Sequence, residues 1–121
     1  MLARILTKRH GFAAEVIDPR GWTLRGVMSR KEEFRADVAD YYDVVVGLHP
    51  DQALRELVAA GLRRPTLVIP CCNFWSADEK LGRRALIEAI VAHHTHTGGE
   101  VEEAELAFSG PYNRALVLEP R

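Results

Sequence analysis

The chain has 121 residues, 47% hydrophobic, 27% charged and 7% aromatic, which describes one globular domain and excludes a disordered tail or a fibre. Sixteen Lys and Arg against seventeen Asp and Glu leave a formal net charge of −1, so no global field draws in nucleic acid or an anionic membrane. No apolar run approaches the roughly 20 residues of a membrane-spanning helix, and the charged N-terminus does not fit a secretory signal. These features predict a single cytoplasmic domain over residues 1–121.

Leu2 to His10 reads as a short helix, apolar at Leu2, Ile5 and Leu6, with Gly11 as its stop. Phe12 to Ile17 reads as a strand ending in the turn Asp18-Pro19-Arg20-Gly21, where proline forbids further pairing. Trp22 to Met28 is an ambiguous short strand, and Ser29 to Tyr42 is expected to contain a helix carrying Phe34 and Val38 inward. The run Asp43-Val44-Val45-Val46-Gly47-Leu48 predicts a central parallel strand buried on both faces. His49-Pro50 stops it, Asp51 can cap a helix to Ala60 with Leu54, Leu57 and Val58 inward, and Gly61 ends that helix.

Thr66 to Ile69 is the next predicted buried strand, halted by Pro70. Ser76-Ala77-Asp78-Glu79 has capping-box spacing, so a helix is expected from there through Leu86, Ile87, Ile90 and Val91 to Gly98-Gly99. Val101 to Phe108 alternates, Ser109 to Asn113 is a turn, and Arg114 to Leu118 returns as a strand, an antiparallel hairpin. The expected fold is α/β: a three-layer Rossmann-like sandwich whose mostly parallel sheet is closed by that hairpin.

In open parallel sheets ligands sit beyond the carboxyl ends of strands, which draws attention to Asp18, His49 and Cys71-Cys72-Asn73. Asp18 reads either as an acceptor for ribose hydroxyls or as an Asp-Pro turn former. His49 reads either as a general base, since imidazole titrates near neutrality, or as a helix-entry residue bonded to backbone. Cys71 and Cys72 are adjacent, which fits a reducing compartment and neither a disulfide scaffold nor spaced zinc patterns. At most one of them should face a crevice. Asn73, Phe74 and Trp75 could hold a flat acceptor group or form an aromatic lid over the core. His93, His94 and His96 read as a solvated helix end favoured by the dipole, and no metal site is predicted. The acidic run Glu100 to Glu105 reads as the wet side of an edge strand, and Arg63-Arg64 and Arg83-Arg84 lack interleaved aromatics.

The strand end Gly47-Leu48-His49, followed by a helix and then Ile69-Pro70-Cys71-Cys72, resembles class I S-adenosylmethionine-dependent methyltransferases, the branch with "GLH" and "PCC" strand ends. The resemblance runs from Phe12 onward and includes the terminal segment Tyr112 to Leu118, similar to the antiparallel pair that closes that family's sheet. It implies Asp18 on the cofactor ribose, Gly47 and Leu48 beside the methionine portion with His49 the only candidate base, and Cys71, Cys72, Asn73, Phe74 and Trp75 on the acceptor side. The acceptor itself is unknown. The family's first strand and glycine-rich loop have no counterpart, and no Gly-x-Gly occurs in the chain. The strands ending at Asp18 and His49 would then pair directly, take a strand from a partner, or belong to a piece of a longer protein. The alternative reading is a non-catalytic, homodimeric interaction module; a weaker third is a metal enzyme using His49 with the cysteine pair.

Overall fold

The computed structural model describes residues 2–21, 26–70, 74–107 and 113–121. They divide into two units, Met1–Phe34 and Arg35–Arg121.

In the N-terminal unit, α1 (Leu2–His10) stops at Gly11, whose φ of 71° is the left-handed conformation that glycine adopts without penalty. The N–H of Phe12 donates to the Leu6 carbonyl at 3.1 Å and closes the helix end. Two short strands follow, β1 (Glu15–Ile17) and β2 (Met28–Arg30), paired in parallel with Val16 opposite Ser29. The pairing extends one step further, through the Asp18 N–H to the Arg30 carbonyl at 3.1 Å. The strand predicted from Phe12 is thus only three residues long. Ser29 and Arg30 are extended, where a helix was expected. Trp22 to Arg25 lie outside the described residues.

The larger unit opens with a 3₁₀ turn (Ala36–Tyr41), shorter and tighter than the helix predicted there. Its first amide, that of Ala36, is satisfied by the Glu56 carboxylate at 3.0 Å. Then come β3 (Val45–Leu48), a 3₁₀ turn at Asp51–Ala53, α2 (Leu54–Ala60), β4 (Thr66–Ile69), α3 (Arg83–His96), β5 (Gly99–Glu105) and β6 (Arg114–Pro120). The sheet order is β3-β4-β6-β5: β3 and β4 are parallel, and β6 is antiparallel to both of its neighbours.

Both helices cover one face of this sheet. The register puts Gly47, Val68, Thr66, Leu116 and Leu118 on a common face. A Cβ on Gly47 would meet Leu57 Cδ1 of α2 at 2.5 Å, and one on Gly99 would meet the His94 ring of α3. The core lies between, with Leu54, Val58, Val68, Leu86, Ile90, Leu116 and Leu118 all about 1% exposed or less.

The three-layer Rossmann-like sandwich is therefore not the fold. Among the described residues six strands form two sheets, of two and four strands, and β3 pairs with β4. The valine run of β3 misled because β-branched residues suit any strand, central or edge. β3 is an edge strand, and its burial alternates: Val45 and Gly47 are buried, while Val46 and Leu48 are exposed. The serine hydrogen bond of the capping box at Ser76 also forms without its helix. The Glu79 N–H donates to Ser76 Oγ at 3.2 Å, yet α3 starts only at Arg83, after Gly82.

Candidate functional site

β3 and β4 end at the same edge of the sheet, with Leu48 opposite Ile69. Beyond Leu48 the chain turns sharply. His49 takes a φ of 51°, the one left-handed non-glycine position among the described residues. Such a conformation is unfavourable for an L-residue, though histidine tolerates it better than most, and it persists only where the surroundings hold it. Here the His49 N–H donates to the Ile69 carbonyl at 3.1 Å, and the His49 carbonyl accepts from the Asp51 N–H at 2.9 Å. The first bond ties the tip of β3 to the tip of β4, and the second starts the turn into α2. His49 is exposed, as a strand-end polar group facing a ligand would be. Gly47, one step inside, owes its lack of a side chain to Leu57. Asp51 opens the 3₁₀ turn rather than capping an α-helix from outside.

Cys71, Cys72 and Asn73 lie outside the described residues. Of the two aromatics after them, Phe74 is 44% exposed while Trp75 is buried. Trp75 is held by two residues that no local spacing connects with it. The Arg55 guanidinium of α2 lies 3.7 Å from the centre of the Trp75 ring and donates from Nε to the Trp75 carbonyl at 2.9 Å. On the other side, the His93 ring of α3 meets the indole edge-on, centroids 5.0 Å apart. Burial and then the nearby Arg55 charge hold the His93 imidazole below its ordinary pKa. Trp75 is thereby held between Arg55 of α2 and His93 of α3.

His94 departs from the solvated helix end expected of the histidine cluster. It is fully buried, and its Nε2–H donates to the Glu119 carbonyl at 3.0 Å. Nδ1 is buried without a hydrogen-bond partner. Its position four residues after Ile90 and eight after Leu86 was the available signal, since that spacing keeps one helix face. No group of three or more metal-ligating side chains occurs among the described residues.

In the N-terminal unit Asp18 works as a turn residue. Its Oδ1 accepts from the Arg20 N–H at 2.7 Å, its Oδ2 from Arg20 Nη2 at 2.8 Å, and its carbonyl from the Gly21 N–H at 3.1 Å. The Arg20 hydrogen bonds hold the Asp18 carboxyl below its usual range. On α1 a hollow of about 520 Å³ is lined by Arg4, Ile5, Lys8 and Arg9. The basic pairs of the larger unit are mostly engaged. Arg63 meets Asp40 at 2.6 Å, Arg64 Nε donates to the Tyr42 carbonyl at 3.0 Å, and Arg84 lies 3.4 Å from Glu88.

No helix among the described residues is long and apolar enough to cross a membrane. No protein-family model, curated protein or solved structure matches the chain.

Proposed function

We propose that the chain is a methyltransferase-like domain that takes S-adenosylmethionine beyond the carboxyl ends of β3 and β4. One observation carries the reading. The Gly47-Leu48-His49 end and the Ile69-Pro70 end, the two segments that resemble the family, lie side by side on parallel strands. The reversed β6 beside β5 supports it further, being similar to the antiparallel pair at the end of that family's sheet.

S-adenosylmethionine, when bound, supplies a methyl group on a sulfonium that a nucleophile can displace. The chain's part is then positioning and exclusion of water. Leu48 offers an exposed apolar contact at the strand end, and His49 is held by its backbone so that its ring can take a proton from an acceptor that must lose one. Calorimetry of the full chain with S-adenosylmethionine tests this. A saturable heat is expected, and no heat at millimolar ligand removes the reading.

A second reading, a homo-oligomeric interaction module, is favoured by a different observation: among the described residues β3 is the last strand of its sheet, and Val44, Val46 and Leu48 are exposed.

A further inference from the structure

The two edges of the four-stranded sheet are built in opposite ways. β5 carries Glu100, Glu102, Glu103 and Glu105, all exposed, and four carboxylates in one strand repel an added strand. β3 has no such protection. Residues 44–48 are Val-Val-Val-Gly-Leu, without a charge or a proline, and Val44, Val46 and Leu48 are 57%, 39% and 45% exposed.

The backbone of β3 is open along the same edge. Val45 donates to the Pro65 carbonyl and His49 to the Ile69 carbonyl, so odd-numbered amides face β4. In a parallel pair alternate residues bond to opposite sides, which turns the N–H and C=O of Val44, Val46 and Leu48 outward. Among the described residues no strand takes them.

We infer that this edge pairs antiparallel with β3 of a second copy of the chain, about a twofold axis at Val46. The segment complements itself about that residue. Val46 meets Val46 as a doubly hydrogen-bonded pair, and Val44 meets Leu48 on the same face. Asp43 falls opposite His49 of the other copy, so no like charges oppose each other. This register pairs the whole uncharged run 44–48 with itself, whereas a shift by two residues in either direction leaves part of it opposite unlike neighbours. The contact is isologous and closes, giving a continuous eight-stranded sheet whose outer edges are the two acidic β5 strands. The inference rests on the interaction-module reading and names its surface and partner.

Light scattering coupled to size exclusion, with hydrogen exchange on the same samples, tests it. The wild-type chain should run at twice its monomer mass, with the Val46 and Leu48 amides protected and losing protection on dilution. Val46→Lys and Leu48→Lys, both at exposed positions, should run as monomers with unchanged circular dichroism, and Glu102→Lys should remain a dimer. A wild-type monomer at millimolar concentration overturns both the inference and the module reading. A dimer that survives both β3 substitutions, or leaves Val46 and Leu48 unprotected, overturns the β3 interface and leaves the module reading standing.

Discussion

The imidazole of His94 fills the space in front of Gly99: a Cβ on that glycine would lie 2.0 Å from Nε2. The same ring approaches Gly61, where a Cβ would lie 3.1 Å from Cε1 and 2.6 Å from the Leu118 Cβ. α3 can therefore settle against the start of β5 and the end of α2 only because both positions lack side chains. Since His94 is fully buried, it has nowhere to move. Gly99→Ala should destabilise the fold by about 1–3 kcal/mol through overpacking. Equilibrium urea unfolding checks this, and an unchanged midpoint would show that the ring is not confined as described.

Leu118, buried at the centre of the same contact, gives the complementary test. Leu118→Ala removes buried methyl groups and leaves a cavity between the sheet and its helices, at a cost of about 2–5 kcal/mol. Thermal unfolding should show a large fall in midpoint. Val46→Ala, on the uncovered face, should cost far less in the monomer.

Arg55 ties α2 to the segment after β4 through the carbonyl and ring of Trp75. Arg55→Ala should cost about 1 kcal/mol, at the low end for charged hydrogen bonds and cation–π contacts because Arg55 is an exposed residue. Part of the intrinsic tryptophan emission should shift to the red as the indole gains water. Removing the Arg55 charge should also raise the His93 pKa, which an NMR titration of the ring protons reads directly. The sign for stability follows from the depressed folded value. Above about pH 6.5 His93 is neutral in both states and contributes nothing to the pH dependence. As pH falls below that, the unfolded chain takes up the proton first, and stability declines until the folded value is passed. Solvent screening at this exposed ring keeps the effect small.

Asp18 separates a turn from a ligand site. Its folded pKa is depressed, so its contribution is present above about pH 3.9 and is lost as pH falls through the folded value. Asp18→Ala should lower the melting temperature, because the Arg20 amide and the Arg20 side chain both lose their acceptor. An unchanged melting temperature together with lost S-adenosylmethionine binding would give Asp18 the ribose role instead.

Local chemistry was legible where one physical signal dominated. Gly11 marked the end of α1, and Pro70 and the short apolar run fixed β4 at Thr66 to Ile69. The placement of β3 was not legible, since a valine run reports strand geometry and not the number of neighbouring strands. The division into two sheets depends on long-range pairing that no local pattern encodes. At Ser76 the local hydrogen bond was foreseen correctly, but propagation of a helix from it was not, because Leu81-Gly82 intervenes before Arg83. Of the candidate site, the two apolar runs marked the strands that end at Leu48 and Ile69, while their side-by-side pairing is a long-range contact. The clasp of Arg55 and His93 on Trp75 joins residues about twenty positions apart, and single-sequence spacing carries no trace of it.

The joined tips of β3 and β4 are where the proposed ligand would be met. A ¹⁵N-correlated NMR titration of the full chain with S-adenosylmethionine reads that place amide by amide. Saturable shifts centred on Leu48, His49 and Ile69 are the predicted result. A spectrum unchanged at millimolar ligand, or shifts confined to residues remote from those tips, would contradict it.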